Sequence, residues 1–218
     1  MRSPFQVNPR RISRNSYLGT LWLGLPLALP WLSPYAAGPM PNGWQGLTSA
    51  VCTLFLFLFW RQVRPDCIIA AWVFVAVTSA LIGICQYFGL SQVMSPWINQ
   101  TNAGEAFANL RQRNQFATLT SLGLVALIGW FGRRGQTKRV SYWAYVPVVL
   151  MALGNAASGS RTGLLQWAAV LLLTAWWAPP KRWHLAAIAL WGTLAYVVAA
   201  LLLPSMLELF TGESNGGV

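Results

Sequence analysis

Charge is scarce in this chain, and negative charge is scarcest. Four acidic residues and one histidine stand in 218 residues, and only 9% of the chain is charged. A soluble domain of ordinary composition carries roughly a quarter charged residues, so most of this surface does not face water. With so few acids and a lone histidine, no metal-ligand cluster forms in the sequence, and no metal or other cofactor is expected. The three cysteines, Cys52, Cys67 and Cys85, lie in or beside apolar blocks without paired spacing. They read as small buried hydrophobes and not as disulfide or metal residues. Internal repeats and low-complexity tracts are missing as well.

Apolar residues are abundant: they make up 56% of the chain, which holds thirteen tryptophans. They fall into seven blocks, at 17–37, 44–60, 67–90, 115–131, 140–157, 162–178 and 183–203. A membrane-crossing helix needs about 20 apolar residues. The expectation is therefore an all-α polytopic membrane protein of about seven spans, with residues 1–218 forming one transmembrane bundle. Pro26, Pro30 and Pro147 lie inside blocks, which membrane helices tolerate because neighbours satisfy the freed backbone. The first block, preceded by arginines and followed by "SPYAAG", has some look of a cleaved signal. Its length and the flanking Pro34 and Pro39 favour an uncleaved first helix.

A net charge of +11 on a soluble chain points to nucleic acid. Here the basic residues lie in the breaks between blocks, so they read as topology signals and no nucleic-acid partner is expected. If the helices alternate, Arg2, Arg10, Arg11, Arg14, Arg61, Arg64, Arg133, Arg134, Lys138, Arg139, Lys181 and Arg182 share one side. Only Arg111, Arg113 and Arg161 fall on the other. The bias places the N-terminus in the cytoplasm and the C-terminus outside.

The three arginines on the sparse side each precede a block that runs inward. Arg111 and Arg113 stand in "ANLRQRNQFATLTSLG" (108–123), and Arg161 in "NAASGSRTGLLQW" (155–167). A helix N-terminus offers backbone N–H groups and a partial positive charge, and is a ready anion site. Asn114 is expected to cap the fourth span, and Ser158 or Ser160 the sixth. The planar guanidinium suits phosphate oxygens. Arginines at span ends also snorkel to lipid headgroups. Two clusters at two same-facing helix starts favour a phosphate-bearing ligand, with Arg161 expected close enough to Arg111 or Arg113 to share it. Gln112 and Gln115 suit a sugar or a neighbouring helix equally. Glu105 either pairs with Arg111 or Arg113 or acts on a substrate proton, and pairing is the commoner fate. Trp97 and Phe107 fit the membrane interface better than a sugar stack. Asn155 fits a bond between helices better than the site. Asp66 reads as a partner for Arg64. His184, beside Lys181 and Arg182, falls on the wrong side for outer-face chemistry.

"NLRQRNQFATLTSLGLVAL" resembles a signature of bacterial protein O-oligosaccharyltransferases, the pilin glycosylation ligase branch of the O-antigen ligase and polymerase superfamily. "SGSRTGLL" resembles the Ser-Arg-Gly segment of the same superfamily. The resemblance implies a glycosyltransferase of the bacterial inner membrane. Such an enzyme moves an oligosaccharide from a polyprenyl diphosphate carrier, on the periplasmic face, to a protein hydroxyl on a pilin-like acceptor or to a lipid-A core sugar. It implies that Arg111, Gln112, Arg113, Asn114, Gln115, Ser160 and Arg161 bind substrate, with Arg161 on the carrier diphosphate. Family members are roughly twice this length, and a periplasmic loop beyond the equivalent of Gly217 carries the histidine taken as catalytic base. The chain is thus expected to match the N-terminal half of such an enzyme, to lack the catalytic residue and to be inactive alone. The rival readings are a transporter for an anionic lipid using the same outward site, and a non-catalytic membrane fragment. A transporter would favour charge deep inside a span, and the third to seventh blocks contain none.

The topology has a direct test. In intact cells, a membrane-impermeant thiol reagent is expected to label Ser95→Cys from outside and to leave Ser141→Cys unlabelled. Labelling at position 141 would invert the topology and remove the outward site.

Overall fold

The computed structural model describes residues 15–33, 43–110, 112–133, 142–179 and 182–212. The described residues form helices and their connections, with no strand among them. Seven helices follow in order: α1 Asn15–Leu32, α2 Gly43–Leu58, α3 Pro65–Tyr87, α4 Arg113–Arg133, α5 Tyr145–Ala157, α6 Arg161–Trp177 and α7 Trp183–Thr211. Each coincides with one expected block. Three are long and apolar enough to cross a membrane: Pro65–Tyr87, Arg113–Arg133 and Trp183–Phe210. The apolar stretches Leu23–Leu32, Gln45–Leu58 and Tyr142–Ala157 are shorter. The largest departure in length is α7, which continues through Pro204 to Thr211 instead of stopping at residue 203.

Small residues set how the helices pack. Gly83 of α3 abuts Phe116 of α4, and Ala76 abuts Gly123, so these two helices run antiparallel. Gly154 of α5 lies against Ala80 of α3, where an added Cβ would sit 2.7 Å from the Ala80 Cα, and Met151 reaches Gly123. Helices in lipid gain little from burying apolar surface against one another, so close approach at small residues supplies the packing. Amide and hydroxyl groups add cross-links. Asn155 of α5 donates to the Ala117 carbonyl (3.1 Å) and to Thr120 Oγ1 (2.7 Å) on α4, its expected interhelical role. Ser121 of α4 donates to Gln166 Oε1 of α6 at 3.0 Å. Gln166 Nε2 in turn donates to Thr118 Oγ1, also at 3.0 Å. Trp167 of α6 meets Tyr196 of α7 with ring centroids 6.1 Å apart.

This packing gives the bundle two distinct ends. At one, Asp66 pairs with Arg133 (3.6 Å) and Arg64 (3.8 Å), the second as expected. There Arg182 Nη1 donates to the Gly132 carbonyl at 2.8 Å, a cation on the C-terminal carbonyls of α4. Exposed Trp60, Tyr142, Trp143, Trp176, Trp177 and Trp183 belong to the helix ends on this side. The belt has the composition of a membrane–water boundary.

The other end carries the long connection from α3 to α4, and buried side chains fix its path. Gln86, fully buried in the last turn of α3, uses its whole amide. Its Nε2 donates to the carbonyls of Asn99 (2.9 Å) and Ala108 (2.8 Å). Its Oε1 accepts from the N–H groups of Phe107 (3.1 Å) and Ala108 (2.7 Å). Ala108 is held at φ 54, a left-handed conformation unusual for alanine. Asn109 Nδ2 donates to the carbonyls of Leu32 (2.7 Å) and Trp97 (3.0 Å), which ties the loop to the end of α1. The backbone N–H of Asn99 donates to Asn109 Oδ1 at 3.1 Å.

Replacing Gln86 tests this arrangement. Gln86→Leu keeps the volume but strands buried backbone groups, each worth about 1–3 kcal/mol. Amide exchange at Phe107 and Ala108 is expected to quicken by at least about tenfold, with the core of α3 less affected. Unchanged protection at these two amides would show that the loop holds itself.

Candidate functional site

Arg113 opens α4 and Arg161 opens α6. The two helices run parallel, as the pairings of Asn114 with Ser160 and of Ser121 with Gln166 require. Both N-termini therefore face the loop end at one level. Arg113 and Arg161 line one cavity of about 320 Å³, together with Ser158, Gly159 and Ser160 of the α5–α6 turn. Tyr87, Gly104, Tyr196 and Leu203 also contribute to its wall. The sequence expectation that Arg161 lies near Arg113 matches this geometry. Arg111 lies outside the described residues.

The capping expectations need correction. Asn114 is not the residue before α4 but sits in its first turn, and its Oδ1 accepts a hydrogen bond from Ser160 Oγ at 2.8 Å. Ser160 is the boundary residue of α6 but makes no side-chain cap, since its hydroxyl is directed to Asn114. Ser158 does not cap α6 either. Its hydroxyl donates to the Asn155 carbonyl (2.6 Å) and accepts from the Ser160 N–H (3.2 Å). With Gly159 at φ 61, these bonds close the turn between α5 and α6. The polar groups expected to serve single helix ends thus join two helix starts to each other. Gly163, one turn further on, gives Asn155 Oδ1 room that a Cβ would fill.

The polar run 112–115 divides over the surface of α4. Asn114 and Gln115 line a second cavity of about 530 Å³ between α1, α2 and α4, with Trp31, Gln45 and Ser49. Gln112 is exposed and its carbonyl accepts from the Phe116 N–H at 3.2 Å. Gln115 and Gln112 are therefore not brought to the arginine cavity.

Arg113 is paired. Its Nη2 donates to Glu105 Oε1 at 2.6 Å, with the two side chains 52% and 36% exposed. This is the pairing expected of Glu105. Gly104, at φ 83, turns the chain so that Glu105 meets the start of α4. At this exposure the pair contributes only about 0–1 kcal/mol to stability. The carboxylate offsets the repulsion between the guanidinium and the α4 N-terminus.

The cavity is suited to holding an anion and lacks a histidine. His184 stands in the first turn of α7, at the basic end. The 17 residues of α6 separate the two ends by about 25 Å. No His, Cys, Asp or Glu group able to hold a metal occurs among the described residues. Trp97 is exposed, and Phe107 packs partly into the core. Sequence reasoning missed Gln86, Asn109, Tyr87 and Tyr196. Each is a polar or phenolic residue in or beside an apolar run, and the single glutamine in "LIGICQYFGL" was the available signal.

A family model described as "Protein glycosylation ligase" matches residues 106–131, the stretch from the end of the loop through most of α4. No curated protein and no solved structure matches the chain. Over that stretch, which includes Arg113, Asn114 and Gln115, the chain is similar to protein glycosylation ligases.

Proposed function

We propose that this chain serves glycan transfer from a polyprenyl diphosphate carrier to a protein hydroxyl, or to a lipid-A core sugar, at the periplasmic face of a bacterial inner membrane. The observation that carries the reading is the shared cavity of Arg113 and Arg161, built from two helix starts. The match to a protein glycosylation ligase model over residues 106–131 supports the same class. In this reading the carrier diphosphate lies between the two guanidinium groups, which present planar donor pairs to its oxygens. As the glycosyl bond breaks, negative charge grows on the leaving diphosphate. Fixed cations and N–H dipoles favour that growth without reorganising. Asn114 and Ser160 keep the two helix starts in register. The acceptor hydroxyl requires a base, which the reading places outside the described cavity. Uncharged buried side chains between α4, α5 and α6 favour surface transfer over ion-coupled transport.

Binding tests the reading directly. The purified protein in phosphatidylcholine nanodiscs is expected to bind geranylgeranyl diphosphate well above geranylgeraniol. Arg161→Ala and Arg113→Ala are each expected to weaken diphosphate binding at least about tenfold, roughly 1.4 kcal/mol. Arg161→Lys is expected to recover little, because a point charge does not replace a planar fork. His184→Ala is expected to change nothing. Equal binding of alcohol and diphosphate, or indifference to Arg161, would sink the proposal.

A further inference from the structure

We infer that Glu105 is a specificity residue that selects a diphosphate carrier against the monoanionic phospholipids of the same membrane surface. The inference rests on the assignment of the arginine cavity to a diphosphate. Arg113 and Arg161 bring two positive charges to that cavity, and Glu105, bonded to Arg113 at 2.6 Å, cancels one of them. Of the other acids of the described chain, Asp66 is at the basic end, paired with Arg64 and Arg133, and Glu208, one turn beyond Pro204 of the cavity wall, makes no ion pair with Arg113 or Arg161.

A site with two uncompensated arginines at the membrane surface attracts any phosphate, and phosphodiester lipids vastly outnumber a glycan carrier. Discrimination therefore requires a repulsive element as well as an attractive one. Glu105 supplies it. A phospholipid headgroup with one negative charge meets Arg113 already occupied and gains little by displacing the carboxylate. A diphosphate, with at least two charges and oxygens on two phosphorus atoms, engages Arg161 while it competes for Arg113. The carboxylate is held for this role. Gly104 at φ 83 turns the chain into it, and the Gln86 amide fixes Phe107 and Ala108 just beyond it.

The experiment measures geranylgeranyl diphosphate binding in nanodiscs of phosphatidylcholine alone and with phosphatidylglycerol admixed. In the wild-type protein, phosphatidylglycerol is expected to raise the apparent Kd by less than about twofold. In Glu105→Gln, which keeps the shape and the hydrogen bond but not the charge, the rise is expected to reach about tenfold, and Glu105→Asp should behave as wild type. Native mass spectrometry gives a second reading: Glu105→Gln should retain more phosphatidylglycerol than wild type, and Arg161→Ala less. The same small phosphatidylglycerol effect in Glu105→Gln and wild type would overturn the specificity role while leaving the diphosphate site intact. Weaker diphosphate binding by Glu105→Gln in phosphatidylcholine alone would make Glu105 a positioning residue and also overturn it. Absence of diphosphate binding in every variant would overturn both assignments.

Discussion

A buried backbone N–H or carbonyl with no partner is costly, and costlier still without water nearby. That constraint organises this molecule. Within α1 to α7 the helices satisfy it internally. Between α3 and α4 they do not, and the chain there is irregular for some twenty-five residues. Gln86 and Asn109 take over what a helix would have done, each bonding main-chain groups from separated parts of the loop. Because the loop is fixed from inside, Glu105 stands in a defined place relative to the start of α4. The geometry of the candidate site thus begins with an amide that never touches it.

The cavity itself is a product of helix direction. Two parallel helices present two N-termini to the same face, and the Asn114–Ser160 bond keeps them adjacent. Like charges on neighbouring helix starts would otherwise drive them apart, and Glu105 relieves part of that repulsion from the loop. The positive ends are already in place and only partly compensated, which is what the proposed anion site requires.

Much of this was legible in the sequence. Seven apolar blocks matched seven helices because unbroken runs of this length leave few alternatives. Arg113 and Arg161 stood out because arginine is rare on that side of the chain, and both proved to line one cavity. The fate of the polar residues around them was not legible. Asn114 and Ser160 have the right identity and position for caps, and local rules favour that use. The parallel contact of α4 with α6, fixed by Gly163 and Ala117 approaching closely, offered them each other instead. The division of Asn114 and Gln115 from Arg113 depends on the placement of α1 and α2, which no local pattern encodes. Gln86 showed only as a lone glutamine in an apolar run, and its role did not show at all, because its four hydrogen bonds go to residues between 13 and 22 positions away.

The shortness of α5 and α6 has a consequence for the surrounding lipid. Thirteen and seventeen residues span about 20 and 25 Å, against a hydrocarbon layer of about 30 Å. On the proposed placement, with the aromatic belt at one membrane boundary, that shortfall would fall at the end where Arg161 stands. A cavity at such a depth would open toward the acyl chains, so that a headgroup tethered to an isoprenoid tail would reach it sideways, from within the sheet of lipid, and a water-borne phosphate from above. The proposed carrier is a guest of the first kind.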